Sequence, residues 1–173
     1  MKNKGFIHVY TGNGKGKTTA ALGLALRAYG AGKRVFIGQF VKGKPYSEIE
    51  AIDKYLKGIE FKQYGLDCFI YKKPDIDDIN VAQKGLEEMK DIIYSGDYDL
   101  VIMDELNIAL HFKLFDLKDV IEILKNKPSH VELVITGRYA TDKIIEMADL
   151  VTEMKEVKHY YTKGVEARKG IEM

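Results

Sequence analysis

A three-layer α/β fold, with a mostly parallel sheet of about five to six strands and helices on both faces, is predicted by three observations. Strand-like and helix-like stretches alternate along the whole chain. Most of the strand-like runs are short and largely apolar, as expected of strands covered on both faces, and Ile59 to Gln63 is the weaker exception. Between the first run and the first helix lies a glycine-rich turn, Thr11-Gly-Asn-Gly-Lys-Gly-Lys-Thr-Thr19.

The elements follow in order. Gly5 to Tyr10 (GFIHVY) reads as a buried strand and Thr18 to Tyr29 as an alanine-rich helix, ended by Gly30-Ala-Gly32. Arg34 to Phe40 (RVFIGQF) is a second strand. Ser47 is placed to cap a short helix, Glu48 to Leu56. Ile59 to Gln63 is a third strand, and Tyr64 to Asp77 is the least regular segment. A long amphipathic helix, about Asp78 to Tyr94, sets Val81, Leu86, Met89, Ile92 and Ile93 broadly on one side. Asp99 to Met103 is the fourth strand, and Asp116 caps a helix to Leu124 that Pro128 cuts off. Val131 to Thr136 is the fifth strand, Asp142 to Met147 a short helix and Leu150 to Met154 a sixth strand. A charged, tyrosine-containing tail, Lys155 to Met173, packs over the sheet edge or reaches a ligand; its pattern does not choose.

At 173 residues, with no repeat or linker, one domain over 1–173 is expected. Lys and Arg number 27 against 26 Asp and Glu, so overall charge makes no case for nucleic acid or an anionic membrane. No apolar run reaches a membrane span, and no signal-peptide pattern precedes the first strand. The single cysteine, Cys68, cannot form an internal disulfide and suits a reducing compartment, so a cytoplasmic location is expected.

Function gathers at the strand ends. A turn closing on Gly-Lys-Thr between strand and helix is the phosphate-cradling loop of nucleoside-triphosphate binders. An ordinary glycine-rich turn shares its composition but not its flanking elements. Gly12, Asn13, Gly14, Lys15, Gly16, Lys17, Thr18 and Thr19 are the candidate phosphate-binding residues. Their glycines let backbone N–H groups approach phosphate, and the helix start adds unpaired donors. Lys17 and Thr18 are the candidate catalytic residues: Lys17 brings a point charge, and the Thr18 hydroxyl is a ligand for Mg²⁺ or Mn²⁺. Thr11 stands where the general motif has its first glycine.

Ligands of open parallel sheets bind outside the carboxyl ends of the strands. There the fourth strand delivers Asp104 and Glu105, which with Thr18 make an oxygen donor set for a hard cation. Lys42 and Arg138, after the second and fifth strands, are candidate phosphate partners, with surface salt bridges as the competing reading. Arg27 reads equally as a structural ion pair or a ligand contact. His8, His111, His130 and His159 have no metal-site spacing, and His8 reads as a core residue. Cys68 has no partner suited to nucleophilic catalysis.

The chain resembles the ATP:corrinoid adenosyltransferases of the phosphate-loop family. The resemblance rests on Thr11 to Thr19, Gly32-Lys33, Gln39-Phe40-Val41-Lys42-Gly43, Met103-Asp-Glu-Leu106, Ile135-Thr-Gly-Arg138, Ala148-Asp149-Leu-Val151-Thr-Glu153 and the closing Val157-Lys158-His159 with Gly164-Val165 and Gly170-Ile171. Thr11 in place of glycine is itself a family feature. The resemblance implies a reaction in which a reduced corrinoid, a cob(I)alamin or cob(I)yrinic acid a,c-diamide, attacks the 5′ carbon of ATP and expels tripolyphosphate. It also implies an ATP bound in the reverse sense to most phosphate-loop enzymes, a metal on Thr18 with Glu105 or Asp104, a reduced flavoprotein donor and a homodimer. In the irregular segment relatives read Gly-Phe-Thr-Trp to displace the lower cobalt ligand. This chain reads Gly65-Leu66-Asp67-Cys68-Phe69 and has no tryptophan, leaving Phe69 and Tyr71 as substitutes. The alternatives are an ATPase or kinase performing ordinary phosphoryl transfer, and a nucleotide-gated binding module without turnover.

Overall fold

The computed structural model describes residues 4–43, 46–66 and 73–172. Six strands form one sheet: β1 (Ile7–Thr11), β2 (Val35–Phe40), β3 (Ile59–Tyr64), β4 (Leu100–Asp104), β5 (Glu132–Thr136) and β6 (Leu150–Glu153). Their order is β3-β2-β4-β5-β1-β6, and every neighbouring pair is parallel. Six helices surround it: α1 (Lys17–Gly30), α2 (Ser47–Tyr55), α3 (Ile76–Ser95), α4 (Leu106–His111), α5 (Leu117–Asn126) and α6 (Asp142–Met147), and a 3-10 turn spans Tyr160–Lys163. The expected three-layer α/β architecture is the observed one.

Strand alternation divides the apolar residues between two cores. Val35, Ile37, Leu100, Ile102 and Val134 face α1 and α2, where Ala21, Ala25, Ala28 and Ile52 close over them. The small alanines let α1 lie close to the sheet. Phe36, Phe40, Val101, Met103, Leu133 and Ile135 face the other way, against α3, α4, α5 and α6. There Met89 of α3 sits over Gly38 of β2, where an added Cβ would lie 2.3 Å from its sulfur. Each fully buried aliphatic side chain contributes about 1.5–3 kcal/mol.

The structure differs from the sequence reading at five places. Ser47 is the first helical residue of α2, and Tyr46 holds the cap position without a side-chain bond. Asp116 has cap geometry before α5, but its carboxylate pairs with Lys118 at 3.1 Å instead of capping. α4 was not anticipated. α3 begins earlier than its apolar pattern, because Asp75 and Asp78 build a reciprocal capping box. His8, expected in the core, is half-buried and lies 2.6 Å from Glu132.

Candidate active site

The parallel sheet places the carboxyl ends of β1, β2, β4 and β5 at one edge, and a cavity of about 890 Å³ opens there. It falls in the upper part of the range for small-molecule sites. The loop residues Gly14 to Gly16 line it. Gly16 precedes α1 at φ 119°, a left-handed conformation that only glycine adopts without strain. No side chain caps α1 and its first turn carries no carboxylate, so its terminal N–H groups and dipole are left for an anion. The loop is pinned from behind: Gly14 N–H donates to the Met154 carbonyl at 2.6 Å, and Met154 N–H donates to Thr11.

Lys17 is buried, and its ammonium donates to the Gly14 carbonyl at 2.7 Å. Burial holds its pKa below the usual lysine value, and Arg138 and Lys42 push the same way against the pull of Glu105 and Asp104. Gly14, Lys15, Gly16, Thr18 and Thr19 join Lys17 in the cavity wall; Gly12 and Asn13 do not. A side chain at Gly12 would strike the Met154 carbonyl at 2.5 Å, so its small size serves the contact with the chain after β6.

Thr18 and Asp104 meet directly, the hydroxyl donating to the carboxylate at 2.9 Å. Asp104 is buried and accepts two further side-chain bonds, from Gln39 at 2.8 Å and from Thr136 at 2.6 Å. Gln63 in turn donates to Gln39 at 3.0 Å. Gln63, Gln39, Asp104 and Thr136 thus form a polar row across β3, β2, β4 and β5. It lies one step beyond the apolar row Phe61, Ile37, Ile102 and Val134. Thr136 and Gln39 are site residues that the strand-end reading did not assign.

Glu105 follows at φ 58°, with its N–H donated to the Thr136 hydroxyl at 2.9 Å. Burial pushes its carboxyl above the usual range, as does the charge of Asp104, while Lys42 at 3.4 Å opposes both. For Lys42 burial works against the ammonium, but Glu105 and Asp104 together raise its pKa. Arg138 is exposed in the cavity wall, with no carboxylate partner among the described residues. Arg27 lies outside that wall.

The donor set fits a hard divalent cation. Thr18, Asp104 and Glu105 offer only oxygen, and two adjacent carboxylates, one buried and one half-buried, carry charge that Mg²⁺ or Mn²⁺ would neutralise. No cluster of three or more His, Cys, Asp or Glu exists among the described residues, so phosphate and water would complete the shell.

The remaining walls mix aromatic and apolar residues with the polar Ser47, Glu48 and Glu172. Tyr139, at φ 64°, stacks on His111 of α4 with centroids 4.2 Å apart, beside Ile108 and Phe112. The tail crosses the loop, bringing Ile171 and Glu172 to the cavity. Lys15 therefore meets the chain itself: its ammonium donates to Glu172 at 2.9 Å, to the Ile171 carbonyl and to the Tyr160 hydroxyl. Cys68, Phe69 and Tyr71 lie outside the described residues. No described helix is long and apolar enough to cross a membrane.

Residues 3–173 match the model of the family "ATP:corrinoid adenosyltransferase BtuR/CobO/CobP". A corrinoid adenosyltransferase of Sinorhizobium sp is 38% identical over 98% of this chain and 80% of its own length. The corrinoid adenosyltransferase of Escherichia coli strain K12 is 35% identical over 98% of this chain and 86% of its own. That of Salmonella typhimurium strain LT2 is 36% identical over 99% and 87%. With the match running from the phosphate loop to the tail, the chain belongs to the ATP:corrinoid adenosyltransferase family.

Proposed function

We propose that this enzyme transfers the 5′-deoxyadenosyl group of ATP to the Co(I) centre of a reduced corrinoid, releasing tripolyphosphate, in the making or salvage of adenosylcobalamin. The observation that carries the reading is the grouping of Lys17, Lys42 and Arg138 with the open α1 terminus around one cavity of this family's fold. The cobalt electron pair forms the Co–C5′ bond as the C5′–O5′ bond breaks, and that bonding pair leaves with the tripolyphosphate. Charge therefore builds on the leaving group.

Donors and cations fixed around it lower the barrier, because they interact more strongly with the transition state than with ATP. Lys17 acts on the phosphates after leaving the Gly14 carbonyl. Gly14, Gly16, Thr18 and Thr19 supply backbone donors. Lys42 and Arg138 neutralise outer phosphate oxygens, Arg138 with two parallel bonds. Thr18, Asp104 and Glu105 hold Mg²⁺ or Mn²⁺, which when bound neutralises phosphate charge. Co(I) is already a strong nucleophile, so no general base is needed. The ribose faces the aromatic wall of Phe112 and Tyr139, toward the corrinoid.

The reading extends to a reduced flavoprotein donor and a homodimer, supported by family resemblance, and to a cytoplasmic location, supported by the single cysteine. Its test is an anaerobic reaction of ATP with chemically reduced cobalamin, with the phosphate product identified. Tripolyphosphate formed in step with the corrinoid spectral change supports it. ADP with orthophosphate would support ordinary phosphoryl transfer instead.

A further inference from the structure

We propose that Thr136 is the positioning residue of the cation site, one hydroxyl that sets both acidic residues at once. The proposal rests on the reading of Thr18, Asp104 and Glu105 as that site. Thr136 is fully buried on β5, the strand between the loop-bearing β1 and the acid-bearing β4. Its hydroxyl hydrogen goes to Asp104 Oδ1 at 2.6 Å, and its oxygen accepts the Glu105 N–H at 2.9 Å. A hydroxyl has one proton and two lone pairs, so this use is chemically directional.

The first bond selects an Asp104 orientation. With Gln39 on Oδ2 and Thr136 on Oδ1, the carboxylate is gripped at both oxygens and turned toward the Thr18 hydroxyl. The second bond holds the left-handed turn at Glu105. A non-glycine residue at φ 58° is uncommon and persists when its surroundings enforce it. The Glu105 N–H donated to Thr136 is such a restraint, and it directs the Glu105 side chain into the cavity. A second stitch follows immediately: Asn107 Nδ2 donates to the Gly137 carbonyl at 3.2 Å, tying the segments after β4 and β5 together again.

Outer groups that orient cation ligands change affinity by about 10–100-fold when removed. The test is Mn²⁺ binding to the protein–ATP complex, followed by the electron paramagnetic resonance of free Mn²⁺, alongside thermal unfolding without metal. Thr136→Val removes the hydroxyl at constant shape and is expected to weaken Mn²⁺ binding by about tenfold or more. Thr136→Ser keeps the hydroxyl and is expected to stay within about threefold of the parent. Thr136→Ala reads the same loss if the valine variant does not fold. A valine or alanine variant that unfolds earlier yet binds Mn²⁺ like the parent would reduce Thr136 to a packing residue. A parent complex that itself holds no Mn²⁺ would overturn the cation site, and this proposal with it.

Discussion

Gln39 and Asp104 are register partners on β2 and β4, and the amide of one donates to the carboxylate of the other at 2.8 Å in a fully buried setting. A buried carboxylate without such donors would be costly to ionise. Gln39→Leu should therefore destabilise the free protein by about 1.5–3 kcal/mol, the range for hydrogen bonds to charged groups. Urea unfolding measures it. A variant as stable as the parent would show that Thr18 and Thr136 alone satisfy Asp104.

Lys17→Ala should lower turnover by roughly 10²-fold or more, if its charge acts on the leaving group. The variant is expected to fold normally, because among the described residues the ammonium bonds only the Gly14 carbonyl. Near-parental turnover would remove the loop lysine from the mechanism.

Lys15→Ala should cost much less, because that ammonium is held by Glu172, the Ile171 carbonyl and Tyr160. Exposed pairs of this kind are worth about 0–1 kcal/mol. A loss of activity matching that of Lys17→Ala would mean that Lys15 leaves the tail to reach phosphate.

Glu105 carries a pH signature. Its folded pKa lies above the ordinary 4.5, through burial and Asp104, with Lys42 and Lys17 opposing. The folded protein thus binds a proton more tightly than the unfolded chain, so stability is lost as pH rises from about 4.5 through the folded value. Glu105→Gln should accordingly be more stable than the parent at neutral pH, with the gap closing below about 4.5. An equal gap at both ends of that range would contradict the burial argument.

Excess chelator should abolish turnover while leaving thermal unfolding of the nucleotide-free protein unchanged, because Thr18, Gln39 and Thr136 already satisfy the buried Asp104 carboxylate. Full turnover in chelator would overturn the assignment of Thr18, Asp104 and Glu105.

The loop and the acidic pair were legible because phosphate and hard cations demand particular residue types at fixed places on strand ends. The strand alternation that produces the sheet was legible for the same local reason. Thr136 and Gln39 were visible only as strand-end residues. Their roles depend on register between strands, with Asp104 lying 32 and 65 residues away in the chain. α4 spans only Leu106–His111, too short for helical periodicity to show. The tail's path rests on contacts such as Lys15 with Glu172, across 157 residues. The Ser47 cap reading failed because Ser47 sits inside its helix, whereas Asp116 holds the expected cap position with its carboxylate turned to Lys118.

The central claim is that this phosphate grip makes carbon the electrophile. ATP labelled with ¹³C at the 5′ position, mixed anaerobically with Co(I) cobalamin and the enzyme, tests it by magnetic resonance. A new cobalt-bound carbon signal, formed one for one with tripolyphosphate, is expected. An unchanged 5′ carbon signal accompanied by release of γ-phosphate would contradict it.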